Sequence, residues 1–558
     1  MNPFQSVGGV RPRRSFFNLS HDVKLTCDMG QLIPVMCDEV MPGDIFKISN
    51  QAVIRFQPLV APVMHDVYMF THYFFVPYRI LWPEWEDFIT GGKDGDYTGN
   101  PPFYLSGTAD DETRKDQLNT LWDYFGFPIL KGQVLEQDMS PSAFPWNSYN
   151  LIWNEYYRDQ NLDDEVALDN NAVLYRRWKK DYFTSALPFQ QRGVSPAFNV
   201  GGSGTLSFPE FTGFQDFSLA IGNRIDNGDS TKLIGSVLGK VPGLAPGHSA
   251  YFPIASTDTT PLSIPQYSGQ QKYGYLYLNK GSNADQPADS IKAVDAKVLE
   301  QLQKASIDFS GSTGFNIADL RLAFQIQKFM ERNARSGVRY TEFLRAHFGV
   351  SPTDSRLDRP EYIGGTRTPV LFNEVLQTSA TSDTSPQANM AGRGISADAS
   401  YVGKYRVQEF GLIMGIMSVM PKATYQQGIN RQWLRITRYD YPFPEFAHLS
   451  EQGIENQEIY AQGKASDKEI FGFQGRYNEC RYKPSKVCGQ MRDTFDYWHF
   501  GRKFETQPLL NSSFIECKPD KRPFAVQNEP GLLVNFGNII KSLRPIPVIA
   551  EPGLIDHF

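Results

Sequence analysis

The chain has 558 residues, of which 41% are hydrophobic and 21% are charged, and its formal net charge is −6. This composition indicates a globular protein, because a disordered chain would be poorer in apolar residues. The negative balance excludes a protein that neutralises nucleic acid over its whole surface, so any DNA contact has to be local or shared with a separate basic partner.

Aromatic residues make up 13% of the chain, with 40 Phe, 27 Tyr and 8 Trp. Extensive protein interfaces favour aromatic side chains, and so does a large core. The five Cys include no CxxC pair, so we expect reduced thiols and no disulfide framework. The first ten residues lack an apolar core of signal-peptide length, which predicts a protein made in the cytoplasm.

The first 50 residues are predicted to form an N-terminal arm. Arg11, Arg13 and Arg14 precede short apolar pieces that Gly and Pro interrupt. A segment of this kind suits contact with a neighbour, and its cations can reach phosphates. The three arginines are therefore the first candidates for DNA contact.

Several later segments are predicted as strands and helices. Residues 66–76, 405–420 and 532–540 are rich in β-branched and aromatic residues, which indicates strands. These strands lie far apart in the sequence, as Greek-key sheets allow and alternating β/α units do not. Apolar periodicity predicts helices over 118–125, 317–334 and 341–348, with their apolar stripes packed in the core.

The aromatic and basic segment 175–183 is the second candidate for DNA contact. It interleaves four cations with aromatic residues, and its candidate contacts are Arg176, Arg177, Trp178, Lys179 and Lys180. Cations can hold the phosphates of a single strand while its bases stack on rings. The alternative is an amphipathic helix whose rings pack inward while its cations face water.

Residues 195–315 differ in composition from the rest of the chain. Gly, Ser, Pro, Asp and Asn are dense there, as in GGSG at 201–204, and short strand-like pieces recur between turns. Long insertions are tolerated at the surface. We therefore predict a surface insertion with a small β structure of its own.

No motif in the sequence indicates catalysis or metal binding. The eight His are scattered, no HExxH is present, and GSVLGK at 235–240 is too short for a phosphate-binding loop. We expect neither an enzyme, a cofactor nor a metal site. Two other functions stay open from the residues alone: a β-rich lectin or carbohydrate-active enzyme, and a single-strand DNA-binding protein.

The sequence resembles the major capsid protein of gokushovirus-type microviruses, which are small single-stranded DNA bacteriophages. The resemblance begins in the N-terminal segment at RPRR (11–14), GQLIP (30–34) and DEVMPGD (38–44), and it continues in order to the C-terminus. The later blocks are FFVPYRILW (74–82), DYFTSALP (181–188), KFMER (328–332), VLQTS (375–379), NMAG (389–392), QQGINR (426–431), YPFPEF (441–446), WHFGR (498–502) and LRPIP (543–547).

The resemblance implies an eight-stranded antiparallel jelly roll, elaborated by inserted helices and long loops into a single domain over residues 1–558. It implies a T=1 icosahedral shell around a circular single-stranded DNA genome, with the 195–315 insertion as a protrusion and candidate host-receptor contact. The implied partners are copies of the chain, the genome, a small basic DNA-binding protein, other structural or scaffolding proteins and a receptor. The protein would be made in the bacterial cytoplasm and reside in the virion.

Overall fold

The computed structural model describes residues 13–104, 117–129, 140–195, 317–337, 339–376 and 390–549, and also the backbone of six short strands between 205 and 308. The strands are β1 Ser15–Asn18, β2 His21–Cys27, β3 Ile33–Val40, β4 Ile45–Phe56, β5 Val67–Pro77, β6 Thr205–Ser207, β7 Gly222–Ile225, β8 Leu233–Val237, β9 Ala250–Phe252, β10 Tyr277–Leu278, β11 Ser306–Asp308, β12 Glu361–Leu376, β13 Met390–Arg406, β14 Gly411–Pro421, β15 Thr424–Tyr425, β16 Glu451–Glu455, β17 Ile470–Gly475, β18 Ser485–Lys486 and β19 Leu532–Arg544.

Helices and helical turns connect these strands. The α-helices are α1 Tyr78–Leu81, α2 Trp85–Thr90, α3 Leu121–Tyr124, α4 Phe144–Ile152, α5 Ile317–Ser336, α6 Tyr340–Phe348, α7 Asn456–Ile459, α8 Asn478–Arg481 and α9 Ser512–Ile515. A π-helical turn, Trp153–Tyr157, continues α4, and the 3-10 turns are Ser355–Leu357, Arg431–Trp433, Arg438–Asp440, Pro444–His448, Ala465–Lys468, Gly489–Arg492 and Asp496–Trp498. In the described part of the chain, no helix has the length and apolar character needed to cross a bilayer.

Within the described residues, nine strands form the main antiparallel sheet, in the order β1-β19-β4-β13-β12-β5-β14-β3, with β2 also paired to β19. Without β1, the other eight fall into two groups of four, β2-β19-β4-β13 and β12-β5-β14-β3, which the β12–β13 pairing joins. Successive strands switch between the groups, except from β5 to β12, and this is the connectivity of Greek-key jelly rolls. The predicted jelly-roll fold class is confirmed, and β1 makes the sheet nine-stranded.

The sequence of each strand reflects how many of its faces are covered. Along β4, residues at every second position are buried and those between them are more exposed, so one face meets the core. All eleven residues of β14 are buried, in agreement with its nearly continuous apolar sequence GLIMGIMSVMP. Strand β14 is therefore covered on both faces.

The core lies on both sides of the β14 group of strands. On one side, side chains of β4 and β19 such as Ile54 and Phe536 pack with Met69 of β5 and Met417 of β14. On the other side, the same group packs against the helices α3 and α4, whose largest buried side chains are Trp122 and Trp146. Burial of each large apolar side chain contributes about 1.5–3 kcal/mol, so both layers stabilise the subunit.

Most of the predicted N-terminal arm lies within the sheet. Strands β1, β2 and β3 and the beginning of β4 fall inside residues 1–50, and β1 pairs with β19 from Ser15–Arg544 to Asn18–Lys541. Residues 1–12 lie outside the described residues. From Ser15 onward the predicted arm therefore belongs to the sheet and its connections, and contact of the arm with a neighbour stays a prediction.

The chain divides into two compact units, residues 1–195 with 326–558, and residues 196–325. The second unit contains a four-stranded sheet, β10-β9-β8-β7, and the two-stranded pair β11-β6. This agrees with the small β structure expected in the insertion. That the insertion forms a protrusion stays a prediction.

The helix predictions are correct in position and partly wrong in packing. Helices α5 and α6 lie where the periodicity placed them, and α3 covers only Leu121–Tyr124 of the predicted 118–125. Gly349, whose φ of +70° is left-handed, follows the last residue of α6. However, Leu322, Ile326 and Phe329 of α5 are 59%, 40% and 47% exposed. The expectation that this stripe packs in the core is therefore wrong for the described chain, because periodicity reveals an apolar face but not what covers it.

Candidate nucleic-acid interface

A cavity of about 1020 Å³ lies in the first unit, on the outer side of β5, and we call it the cationic cavity. Its wall is formed by β5, β12, residues 156–161, 176–187 and 420–423, and the C-terminal end of α5. Among the described residues, nine Lys or Arg side chains and three Asp or Glu side chains line it, and six of the nine cations pair with carboxylates. Its free positive charge therefore comes from Arg176, Lys179 and Arg367, which have no carboxylate partner in the described chain, and it suits an anionic ligand.

Every second residue of β5 has an aromatic side chain that lines one wall of the cavity. Tyr68, Phe70, His72 and Phe74 line it, whereas the residues between them, such as Tyr73, are buried in the core. Successive side chains of a strand point to opposite faces, so one strand serves the core and the cavity together.

Segment 175–183 crosses this region in an extended conformation, so the helix considered as the alternative is not formed. The Arg176 N–H donates to Gly30 O (2.8 Å), and the Cys517 N–H donates to Arg176 O (2.9 Å). Gly30 has a φ of +85°, and a Cβ there would lie 1.7 Å from Cys517 O. Only glycine fits this crossing, which fixes the backbone that carries Arg176.

Arg176 is the most unusual cation in the cavity. Its guanidinium lies over the Phe70 ring at 4.4 Å and near the Tyr157 ring at 5.8 Å, and Nη1 donates to Ser418 Oγ (3.0 Å). Burial lowers the pKa of Arg176, and among the described residues no carboxylate forms an ion pair with it. A desolvated cation without a counter-charge favours the binding of an anion.

Strand β12 brings a second such arginine to the same ring. Arg367 pairs in register with Phe70, and its guanidinium lies 3.8 Å from the Tyr68 ring centroid and 5.8 Å from that of Phe70. Within the described chain, Arg367 likewise has no carboxylate partner. Tyr362, on the same strand, lines the cavity and is 48% exposed, so its ring is accessible for stacking by a base.

Arg177 is engaged within the protein. It donates to Asp163 through two bonds, Nε to Oδ2 at 2.8 Å and Nη2 to Oδ1 at 2.7 Å, and it also pairs with Glu516 at 3.5 Å. The two side chains of the Arg177–Asp163 pair are 11% and 2% exposed. This bidentate geometry holds residues 159–163 against the extended segment, so Arg177 has a structural role.

The remaining candidates in the segment also differ in whether the protein itself engages them. Trp178 is 4% exposed and packs with Met420 and Cys517, which agrees with rings that face inward. Lys179 and Lys180 are exposed, and Lys180 pairs with Asp159. Of the four cations in this segment, Lys179 and Arg176 are therefore the two that have no carboxylate partner among the described residues.

The N-terminal candidates lie elsewhere. Arg13 and Arg14 are exposed just before β1, and Arg11 lies outside the described residues. The structure does not bring Arg13 or Arg14 into the wall of the cationic cavity. Arg367 and Tyr362 were not predicted as site residues. The alternating aromatic residues of β5 indicated an aromatic face, but they did not show that β12, which carries Arg367 and Tyr362, is the neighbouring strand.

His72 does not contribute positive charge to the cavity at neutral pH. Its Nδ1 lies 2.7 Å from the Tyr157 hydroxyl, and burial, assisted by the nearby Arg176, lowers the pKa of His72 to about 3. Among the residues that the structure describes, no cluster of three or more potential metal ligands occurs.

We expect His72 to make the subunit less stable as the pH falls. In the unfolded chain His72 takes up its proton near pH 6.5, but in the folded chain only near pH 3, so stability is lost between these values by up to about 1.4 kcal/mol per pH unit. Urea unfolding at pH 7 and pH 5 should show a smaller loss for His72→Gln than for the wild type. The exposed His448→Gln variant should follow the wild type, and equal losses in all three proteins would contradict the prediction.

Comparisons with known proteins agree with this fold. The family model of the capsid protein (F protein) matches residues 5–554. The chain is 34% identical to capsid protein VP1 of Chlamydia phage 1, over 99% of this chain and 98% of that protein. It is 32% identical to VP1 of Bdellovibrio phage phiMH2K, with 100% and 98% covered, and 30% identical to VP1 of Spiroplasma virus 4, with 99% and 98% covered.

These matches cover nearly the whole chain, and the matched proteins are capsid proteins of microviruses. The jelly roll is an architecture that viral capsid subunits use. The chain therefore belongs to the capsid protein (F protein) family of the microviruses and is a structural protein of the phage virion, not an enzyme.

Proposed function

We propose that the protein assembles into a T=1 icosahedral shell that encloses a circular single-stranded DNA genome. Membership of the capsid family supports self-association. A closed shell needs several self-complementary surfaces on one chain. The exposed apolar stripe of α5 is the kind of surface that such contacts cover.

The observation that carries the DNA part of the proposal is the cationic cavity. Arg176 and Arg367 lie within 6 Å of one ring, Phe70, and neither has a carboxylate partner in the described part of the chain. Phosphates of a single strand bind such cations, and exposed rings such as Tyr362 and Tyr482 accept stacked bases. The genome is expected to contact Arg176, Arg367 and Lys179 directly, whereas Arg177 and Trp178 hold the wall in place.

Further contacts are proposed for the parts of the chain outside the cavity. Arg11, Arg13 and Arg14 reach the genome from the N-terminal segment. A small basic protein supplies much of the remaining neutralisation, since the chain itself has a net charge of −6. The insertion at 195–315 projects from the shell as a host-receptor contact, and the chain is made in the host cytoplasm, where other structural or scaffolding proteins assist assembly.

Expression of the chain, alone and with the other structural proteins of the phage, followed by sedimentation and electron microscopy, tests this function. We expect small uniform icosahedral particles, with residues 195–315 on their outer surface. A folded monomer that binds single-stranded DNA but never forms particles would contradict the proposal and favour a DNA-binding protein that acts outside a shell. A folded monomer that binds oligosaccharides would favour the lectin alternative.

A further inference from the structure

Residues 429–449 form an exposed, ring-rich segment of the first unit, which we call the aromatic lobe. Seven of its large apolar side chains are exposed, from 40% for Ile429 to 86% for Ile436. From residue 436 to residue 449, every residue but Phe446 is exposed. The other five of these apolar side chains are Trp433, Tyr439, Tyr441, Phe443 and Leu449.

Polar contacts hold the lobe in a defined conformation. Arg431 donates to Glu458 (2.8 Å) and to the Gly453 carbonyl (2.6 Å), and Arg435 pairs with Glu479 (3.3 Å). Within the lobe, Asp440 Oδ2 accepts from two backbone N–H groups, at 3.0 and 2.7 Å. The apolar side chains are therefore presented by a structured backbone, which lowers the entropy cost of binding a partner.

The rings also lie close to one another. The centroids of Tyr439 and Phe443 lie 6.2 and 6.0 Å from that of Phe446, and Arg435 lies over the Tyr441 ring at 5.6 Å. Together the seven exposed side chains present roughly 800 Å², on the basis of about 150–250 Å² for a whole large apolar side chain. A standard interface buries about 800 Å² of each partner, and the largest apolar patch of an ordinary monomer is about 300–600 Å².

The charge of the lobe restricts what covers it. Residues 429–449 contain three Arg and two acidic residues, and two of these arginines are occupied by Glu458 and Glu479. Such a surface has too little positive charge to hold DNA and too little negative charge to hold a basic protein. A receptor site would stay in water on the finished particle, where this much exposed apolar area favours aggregation of virions.

We infer that the aromatic lobe is a permanent contact between copies of this chain in the shell, with Trp433 and Ile436 as its central side chains. This inference rests on the proposed self-assembly and adds the surface that performs it. A second copy is the partner that every subunit of a shell meets, and permanent interfaces of this kind are the apolar ones.

Hydroxyl-radical footprinting read by mass spectrometry tests the contact directly. Particles of the chain alone, particles that contain the other phage proteins, and subunits released from each are oxidised side by side. We expect oxidation of Trp433 and Tyr439 to fall at least fivefold in both kinds of particle, whereas the buried Trp146 stays unreactive throughout. Ile436→Asp should reduce particle yield at least tenfold without changing the melting temperature of the subunit, and Leu509→Asp, an equivalent change at a side chain 68% exposed, should not.

The outcomes separate this inference from the proposed function. If particles form and the lobe is oxidised as strongly in them as in subunits, the contact is wrong although the capsid function stands. Protection only when the other phage proteins are present would also overturn it, because the cover would then be one of those proteins. If no particles form under any condition, the proposed self-assembly fails, and the inference fails with it.

Discussion

Replacing Arg177 by alanine is expected to destabilise the folded subunit by about 3–5 kcal/mol. The substitution leaves Asp163, whose side chain is 2% exposed, buried without its bidentate partner. A buried carboxylate that has lost its counter-charge is far more costly than a lost surface ion pair. Urea unfolding of the unassembled subunit measures the change.

Two further variants distinguish this role from DNA contact. Arg177→Met combined with Asp163→Leu removes both charges and should recover most of the stability, because no buried ion then lacks a partner. Lys179→Ala, at the exposed neighbouring cation, should stay within about 0.5 kcal/mol of the wild type. A stable Arg177→Ala subunit with weakened DNA binding would show that Arg177 serves the genome and not the fold.

The double substitution Arg176→Gln/Arg367→Gln is expected to weaken single-stranded DNA binding strongly while leaving the subunit folded. Neither guanidinium has a carboxylate partner among the described residues, so its removal leaves no carboxylate unpaired. If each binds one phosphate, the slope of log affinity against log salt concentration should fall by about 1.4, at about 0.7 per phosphate on a single strand. Fluorescence polarisation with a labelled oligodeoxythymidylate, titrated over a range of NaCl concentrations, measures the slope.

A matched control has the same loss of charge at another surface. Arg55→Gln/Lys541→Gln removes two exposed cations from β4 and β19, whose exposed positions face away from the core. Its salt slope should equal that of the wild type. If the control and the cavity variant lose the same slope, binding follows net charge and the cationic cavity is not the DNA site. Equal affinity of the cavity variant and the wild type would contradict the proposal outright.

The fold class was predicted from the resemblance to microvirus capsid proteins, whereas single elements were predicted from local patterns. The continuous apolar run in β14 indicated a strand, and the burial of β14 on both faces explains that run. The helices α5 and α6 were predicted from apolar spacing. The resemblance to microvirus capsid proteins rested on blocks along the full length of the chain, and the family match over residues 5–554 confirmed it.

The candidate site could be predicted only in part. The segment 175–183 was correctly placed at a basic and aromatic surface, and four of its cations line the cavity. Arg367 was missed, because its position beside Phe70 depends on the pairing of β12 with β5. A single sequence contains no signal for the register between two strands so far apart.

The sequence by itself determined the jelly-roll class and the capsid family, through sequence blocks along the whole chain that resemble that family. It also showed the presence of a cationic, aromatic segment, because that depends on local composition. The tertiary structure alone decided which cations lack a partner: Arg177 is neutralised by Asp163, whereas Arg176 and Arg367 meet at one ring and have no carboxylate partner in the described part of the chain. It also decided which apolar faces are uncovered, on α5 and on the aromatic lobe. Ion pairing and burial depend on the distances between side chains in the folded protein. Folding brings together residues that are far apart in the sequence, so local patterns do not show these distances.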